Sequence, residues 1–243
     1  GEVFHRYILG VYALYQRLTD RFPQILFESC SGGGGRFDPG LLYYAPQCWT
    51  SDNTDGVERL KIQYGTSMVY PVSSMGAHVS AVPNHQVHRM TPLSTRANVA
   101  FFGAFGYELD LNLLSQQERQ QVKEQVAFMK EYRQLLQFGD FYRLKNPFTG
   151  NEAGWMAVSA DRRQAVVGYY RVLRHSNMPF TRMKLQGLDP SLCYRVTVEG
   201  ESSLHYGDEL MYAGLSTSDR AASKRDGRES GDFYSFLAVV KAE

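Results

Sequence analysis

Two polar clusters, each following a short apolar run, carry the side chains best suited to chemistry. The first contains Cys30 and a run of four glycines, and the second contains Trp49 and Asp52. In an α/β barrel the reacting groups lie at the carboxyl ends of the strands, where such clusters would fall. An indole face packs well on a sugar ring, and a nearby carboxyl group can protonate a leaving oxygen. The clusters therefore predict a site that processes carbohydrate.

The two clusters lie within longer segments, Glu28-Ser-Cys-Ser-Gly-Gly-Gly-Gly-Arg-Phe-Asp-Pro-Gly40 and Trp49-Thr-Ser-Asp-Asn-Thr-Asp55. These segments resemble the signature of the α-galactosidases of glycoside hydrolase family 36. The similarity continues through residues 64–67, 71–80 and 102–109 and into the C-terminal region. The resemblance thus covers nearly the whole chain, and it implies action on terminal α-galactosides such as melibiose and raffinose.

The resemblance also implies roles for four residues of these clusters. Asp52 is expected to be the general acid/base of a retaining mechanism, kept protonated by the charge of a neighbouring nucleophile and by partial burial. Cys30 and Gly33 are expected near the galactose, and Trp49 as the wall on which the sugar stacks. Two carboxyl groups and water suffice for both half-reactions, so no cofactor and no metal are expected.

The nucleophile of the family is a second aspartate, in a Lys-Trp-Asp element one strand before the Glu-Ser-Cys strand. Tryptophan occurs only at positions 49 and 155, where Thr50 and Met156 follow. We therefore expect the chain to be the C-terminal part of a longer enzyme, a homo-oligomer when full length. The alternative from a different class is a non-catalytic, sugar-binding or structural fragment.

Simpler interpretations compete for several of these residues. Without the resemblance, Asp52 would be read as a cap or a solvated turn residue. Asp55, with Glu58 three residues on, is typical of a helix start, which favours a cap over a substrate role. The glycines do not form a P-loop, because Arg36 and Phe37 follow in place of Gly-Lys-Ser/Thr. Cys30 has no partnering histidine with motif support and is not expected to be a nucleophile.

Three histidines and the second tryptophan also have competing interpretations. His85 and His88 are spaced like a metal pair, but their loop offers no cysteine or carboxylate ligand, so no metal site is predicted. His78 follows a predicted strand and either lines the pocket or supports the residues that do. Trp155 and the tyrosines after position 140 are interpreted as core and not as a carbohydrate-binding strip.

Composition narrows the class of protein further. The 243 residues carry a formal net charge of +1, which argues against a nucleic-acid partner. The basic cluster at Lys224 and Arg225 is interleaved with acidic residues and is typical of a solvated loop. Three cysteines at no metal spacing favour a reducing compartment, so we expect a cytoplasmic protein. No apolar run reaches the length of about 20 residues that a membrane helix needs.

The predicted fold class is α/β: the second half of a (β/α)8 TIM barrel followed by a C-terminal antiparallel β-sandwich domain. Residues 1–138 alternate between strand and helix patterns, and Ser115 with Glu118 caps the clearest helix, which stops at Gly139. The predicted strands of this region are Ile25–Ser29, Leu41–Ala45 with Cys48–Ser51, Met68–Ser73 and Phe105–Leu109. The other predicted helices are an opening helix with its apolar face on residues 4–18, closed by Pro23, and the helices 57–64 and 93–101; the apolar face of the helix capped by Ser115 spans residues 122–136.

Residues 139–243 lose the helical period and form the predicted sandwich. Short β-type runs alternate there with Asn, Gly, Pro and Asp turns, which is typical of antiparallel sheets. The predicted runs are 154–160, 164–173, 181–186, 194–199, 209–214 and 233–241.

Overall fold

The computed structural model describes residues 1–33, 37–174, 179–217 and 233–243. Its α-helices are α1 (Glu2–Arg21), α2 (Glu58–Thr66), α3 (Leu93–Ala100), α4 (Gln116–Phe138) and α5 (Gly207–Tyr212). Its strands are β1 (Glu28–Ser29), β2 (Gln47–Cys48), β3 (Gly76–Ser80), β4 (Ala104–Glu108), β5 (Asp140–Lys145), β6 (Glu152–Val158), β7 (Gln164–Arg171), β8 (Arg182–Met183), β9 (Cys193–Val198), β10 (Glu201–Tyr206), β11 (Leu215–Ser216) and β12 (Tyr234–Ala242). Short 3-10 helices cover Pro39–Tyr43, Val72–Ser74 and Leu111–Leu113.

The first four strands run parallel. β1 pairs with β2, β3 pairs with β4, and Cys48 forms a parallel bridge to Met75 just before β3. The strands therefore follow one another in chain order, with α2 and α3 in the connections. Parallel neighbours place their carboxyl ends at the same edge of the sheet, so the segments that follow β1, β2, β3 and β4 lie at that edge. This confirms the predicted alternation of parallel strands and helices in the first region.

The capping signal of α4 is confirmed. The Ser115 hydroxyl accepts from the Glu118 amide at 3.2 Å, and Glu118 accepts from the Ser115 amide at 2.8 Å. These hydrogen bonds from Ser115 lower the pKa of the Glu118 carboxyl. The helix buries Met129, Tyr132 and Leu136 and ends at Gly139. Local sequence was sufficient here because cap, apolar face and stop all lie within one segment.

The second region is built on a six-stranded antiparallel sheet with the order β10-β9-β12-β7-β6-β5. Side chains of β6 alternate between its two faces. Trp155 and Ala157 pack toward α3 and α4, whereas Met156 and Val158 pack toward the small antiparallel pair β8–β11. The antiparallel sheet and the core position of Trp155 are thus confirmed. In the described part of the chain, however, the layer opposite the helices is this two-stranded pair and not a second large sheet.

The core of the first region continues into the sheet without interruption. Phe102 and Leu136 belong to the same buried cluster as Trp155 and Tyr170. The Phe102 and Trp155 rings lie 5.9 Å apart between centroids in an edge-on arrangement. The Tyr170 hydroxyl donates to the Asn98 carbonyl at 2.6 Å. Residues far apart in sequence therefore form one hydrophobic core.

Two predicted strands of the first region are wrong. Residues 41–45 lie in and beside the 3-10 helix Pro39–Tyr43, because the Asp38 carboxylate accepts from the Gly40 amide and Pro39 stands in the first turn. Residues 68–73 form turns and the start of the next 3-10 helix, since Pro71 has no amide hydrogen to give a strand ladder. The strand begins only at Gly76.

Other boundaries also differ from the sequence interpretation. The predicted strand 25–29 reduces to β1, because the Ile25 amide closes a turn onto the Phe22 carbonyl directly after α1. The Ile25 side chain is exposed. The predicted strand 209–214 is α5, where Asp208 and Glu209 occupy the first turn and favour a helix N-terminus. The sequence interpretation does not include strands β5, β10 and β11.

The cluster around Lys224 and Arg225 lies outside the described residues, as do Gly34 to Arg36. Across the described ranges, no helix combines the length and apolar character needed to cross a bilayer.

Candidate active site

The ends of β1 and β2 position the predicted site. Trp49 directly follows β2, and its amide donates to the Ser29 carbonyl at 2.9 Å, which holds the two strand ends together. Cys30 directly follows β1 and is exposed to solvent. Parallel pairing is therefore what brings two clusters about twenty residues apart in sequence to one edge.

Gly33 lies against Asp52. Its φ is +67°, in the left-handed region that glycine adopts most readily. A Cβ atom at this position would stand 2.2 Å from the Asp52 amide nitrogen and 2.8 Å from its carboxyl carbon. No side chain fits there, so the loop after β1 packs directly on the backbone of the predicted acid/base.

A hydrogen bond joins Trp49 to Asp52. The indole Nε1 donates to Asp52 Oδ1 at 2.9 Å, and Trp49 is only 9% exposed. The bond fixes the direction of the Asp52 carboxylate through one of its two oxygens. Asp52 itself is exposed, so the partial burial expected for it is not provided by the described residues. The reason is that its side chain stands at the rim of an open cleft.

Three neighbours hold the Trp49 indole in place. The His78 ring stacks on it with centroids 4.7 Å apart, and the Arg59 guanidinium lies 5.2 Å from the indole centroid. A Cβ on Gly76 would come within 2.8 Å of the ring, so this glycine makes room for the indole. His78 Nδ1 is in turn 3.2 Å from a carboxylate oxygen of Glu108. His78 therefore supports Trp49 from beside the cleft.

The cleft beside Asp52 has a volume of about 330 Å³. Its lining comes from the segment after β2, from the end of β3 and the loop that follows it, and from the end of β4: Trp49, Asp52, Thr54, Ser80, Ala81, Pro83, His85 and Glu108. Sequence reasoning did not single out Ser80 and Glu108. The available signal was their place as the last residues of two parallel strands.

Metal ligands do not cluster near this cleft. Among the residues that the structure describes, no group of three or more His, Cys, Asp or Glu side chains could hold a metal ion. His85 lines the cleft, whereas His88 sits at φ +54° in the following turn.

Asp55 serves α2 as the sequence predicts. Its carboxylate accepts from the Val57 amide at 3.1 Å and from the Glu58 amide at 3.0 Å, and it is almost completely buried. The same oxygen pairs with Arg89 from the loop after β3. Asp55 is thus a cap that also ties this loop to the helix.

We expect Asp55→Ala to destabilise the chain. Loss of a helix cap costs about 0.5–2 kcal/mol, and loss of a hydrogen bond to a charged group costs about 1.5–3 kcal/mol. Urea unfolding measures the change in the free energy of unfolding. Asp110→Ala is the matched control, because Asp110 caps a 3-10 helix in the same way but is exposed. A stable Asp55→Ala protein with weakened sugar binding would instead give Asp55 a substrate role.

Parallel strands that present functional side chains at their carboxyl ends are the arrangement of the α/β barrel enzymes. Residues 1–139 match the melibiase family model, and residues 152–240 match the model of the glycosyl hydrolase family 36 C-terminal domain. The chain therefore belongs to the melibiases of glycoside hydrolase family 36. This confirms the resemblance that the two signature segments carry.

Two curated relatives show the extent of the match. The chain is 58% identical over 241 residues to the α-galactosidase AgaA of Geobacillus stearothermophilus. It is 49% identical over 242 residues to the α-galactosidase Mel36A of Lactobacillus acidophilus. The matches cover 99% and 100% of this chain but only 31% of either relative. The chain thus spans about a third of the length of these relatives.

Solved structures agree with this result. The crystal structure of the family 36 α-galactosidase AgaB from Geobacillus stearothermophilus superposes with a TM-score of 0.90 at 58% identity. A doubly substituted AgaA in complex with raffinose gives a TM-score of 0.90 at 57% identity. Each match covers 98% of this chain and about a third of the other, 31% and 32%.

Proposed function

We propose that the protein to which this chain contributes is a retaining α-galactosidase that removes terminal α-D-galactose from oligosaccharides. The observation that carries the proposal is the Trp49–Asp52 pair, hydrogen-bonded at 2.9 Å beside an open cleft, in a chain of family 36. An α-galactoside needs a proton on its leaving oxygen, and Asp52 is the carboxyl group placed to supply it.

The proposed mechanism is a double displacement with two carboxyl groups about 5–5.5 Å apart. A nucleophile attacks the anomeric carbon while Asp52 protonates the departing oxygen, which gives a galactosyl-enzyme and the free aglycone. Asp52 then takes a proton from water, which attacks the galactosyl-enzyme and releases galactose. Trp49 is the proposed stacking wall, and the backbone around Cys30 and Gly33 holds sugar hydroxyl groups.

The nucleophile is proposed to lie outside these 243 residues, on a strand that precedes β1 in a closed barrel. The order β1-β2-β3-β4 supports this proposal, since four parallel strands joined by helices are half of an eightfold barrel. Residues 1–138 would then be the second half of the catalytic barrel, and residues 139–243 its C-terminal β domain.

Raffinose-type oligosaccharides are the proposed substrates. Two substituted forms of the α-galactosidase AgaA have been crystallised, one with raffinose and one with stachyose, at 57% and 58% identity to this chain. We further propose a homo-oligomeric, cytoplasmic enzyme, the latter because the three cysteines show no disulfide. No nucleic-acid or membrane partner and no cofactor are part of the proposal.

The chain by itself is expected to hydrolyse no galactoside, because one of the two required carboxyl groups is missing. The test compares purified chain with the same chain joined to the remaining two thirds of AgaA, using an aryl α-galactoside. Turnover should appear only in the joined protein and should depend on Asp52.

Two other results would change the proposal. Turnover by the chain alone, abolished in Asp52→Asn, would place the nucleophile inside it, with Glu108 of the same cleft as the first candidate. A joined protein that binds galactose without turnover would favour the alternative of a sugar-binding or structural segment.

A further inference from the structure

We propose that Arg59 is a positioning residue for the acid/base, acting on Asp52 through the indole of Trp49. The inference rests on the proposed function of Asp52. It assigns to a buried arginine on α2 the task of fixing the direction in which the catalytic carboxyl group points.

Arg59 is 2% exposed and its guanidinium joins three segments of the site. It donates to the Gly76 carbonyl at 2.6 Å and to the Ser51 carbonyl at 3.5 Å, and within α2 to Gln63 at 3.4 Å. Ser51 directly precedes Asp52. The guanidinium therefore holds the backbone next to the acid/base and the first residue of β3 at the same time.

The second link runs through the indole. The Arg59 guanidinium lies over the Trp49 ring at 5.2 Å, within the range of a cation–π interaction. Among the described residues no carboxylate pairs with Arg59 within salt-bridge distance, and burial lowers its pKa to about 10. The buried guanidinium has lost its hydration, and the carbonyls and the indole face replace the lost water. It therefore restrains the position of the Trp49 ring strongly. The restrained indole then directs its N–H toward Asp52.

Gln63 makes this arrangement rigid. Its side-chain amide donates to the Val99 carbonyl at 3.0 Å and to the Phe102 carbonyl at 3.2 Å. Arg59 thus contacts a side chain on the same face of α2 that is itself fixed to carbonyls at the C-terminal end of α3. Such support behind a catalytic pair holds it in the reactive geometry, where a displacement of about 1 Å can cost about a hundredfold in rate.

The 243-residue chain permits a direct test of the geometry. It contains two tryptophans, so a ¹⁵N spectrum shows two indole N–H signals, which Trp49→Phe assigns. Arg59→Met should move the Trp49 signal toward its position in Asp52→Ala, where the hydrogen bond is absent. The Trp155 signal should stay in place and report that the core is folded. A Trp49 signal unchanged in Arg59→Met would overturn the proposal.

Arg143→Met is the matched control. Arg143 also lies over an aromatic ring, that of Phe141 at 5.6 Å, and also anchors α2, through Ser67. It makes no contact with the indole of Trp49. Its replacement should leave the Trp49 signal where it was, and an equal shift in both variants would reduce Arg59 to a structural residue.

Kinetics of the joined protein separate this inference from the proposed function. Arg59→Met should lower kcat/KM, which reports the first step, on melibiose by about tenfold to a hundredfold, and on an activated aryl galactoside by about threefold at most, since that leaving group needs little protonation. In an Asp52→Asn background the same change should have almost no further effect.

Different results would overturn the positioning role of Arg59 and the proposed function of Asp52. Equal losses on both substrates would overturn the positioning role and leave Asp52 as the acid. Full activity of Asp52→Asn itself would overturn the proposed function, and the indole spectrum would still decide whether Arg59 orients Trp49.

Discussion

Asp52→Asn in the joined, complete enzyme should lower the rate on melibiose by about 10²–10⁴-fold, the contribution of general acid/base assistance. The substitution keeps the size of the side chain, and the amide oxygen can still accept from the Trp49 indole. It removes only the proton that the leaving oxygen needs. An aryl galactoside with a good leaving group should lose far less in the first step.

The second half-reaction gives a further readout. The galactosyl-enzyme of Asp52→Asn lacks the base that activates water. Azide needs no base, so it should accelerate turnover of the aryl galactoside, for which this second step limits the rate. Asp110→Asn, an exposed aspartate at a 3-10 helix far along the chain, is the control and should behave as the parent. Full activity of Asp52→Asn on melibiose would remove Asp52 from the mechanism.

Gly33→Ala should lower kcat about a hundredfold or more, because its Cβ would displace the acid/base. The new atom would meet the Asp52 amide nitrogen at 2.2 Å, and backbone cannot move aside as a flexible side chain can. Either the loop after β1 or Asp52 must shift. Both shifts misplace the carboxyl group that the Trp49 hydrogen bond directs.

Gly32→Ala is a closely matched control for this prediction. Gly32 has a φ of +54°, so alanine bears a similar left-handed strain of about 1–2 kcal/mol, but a Cβ there meets no atom within 4 Å. Its rate should stay within a few-fold of the parent. Equal losses in the two variants would assign the effect to backbone strain. Unaltered kinetics of Gly33→Ala would show that the loop is merely a turn.

The sequence predicted best what short segments determine. Ser115 and Glu118 define the start of α4, and Asp55 caps α2, because partner and acceptor lie within three residues of each other. The Trp49–Asp52 contact has the same short spacing. The family signature supplied the role of Asp52, which no spacing rule could, and that role remains a prediction here.

What depends on long-range contacts was not predicted. Gly76 and Arg59 both touch Trp49, but only the pairing of β2 with the start of β3 brings them there. Met68 to Ser73 carries the residues of a strand, yet Pro71 redirects the backbone. The helix α5 was missed because a six-residue element shows too little periodicity to separate it from a strand.

The uninterrupted core between Phe102, Leu136, Trp155 and Tyr170 has a consequence for how such enzymes can be recombined. The two family models divide the chain between residues 139 and 152, but the hydrophobic contacts do not divide there. A β region taken from another family member would bring its own side chains against α3 and α4. A chain recombined at this boundary should therefore keep its fold only when the core residues on both sides of it come from the same parent.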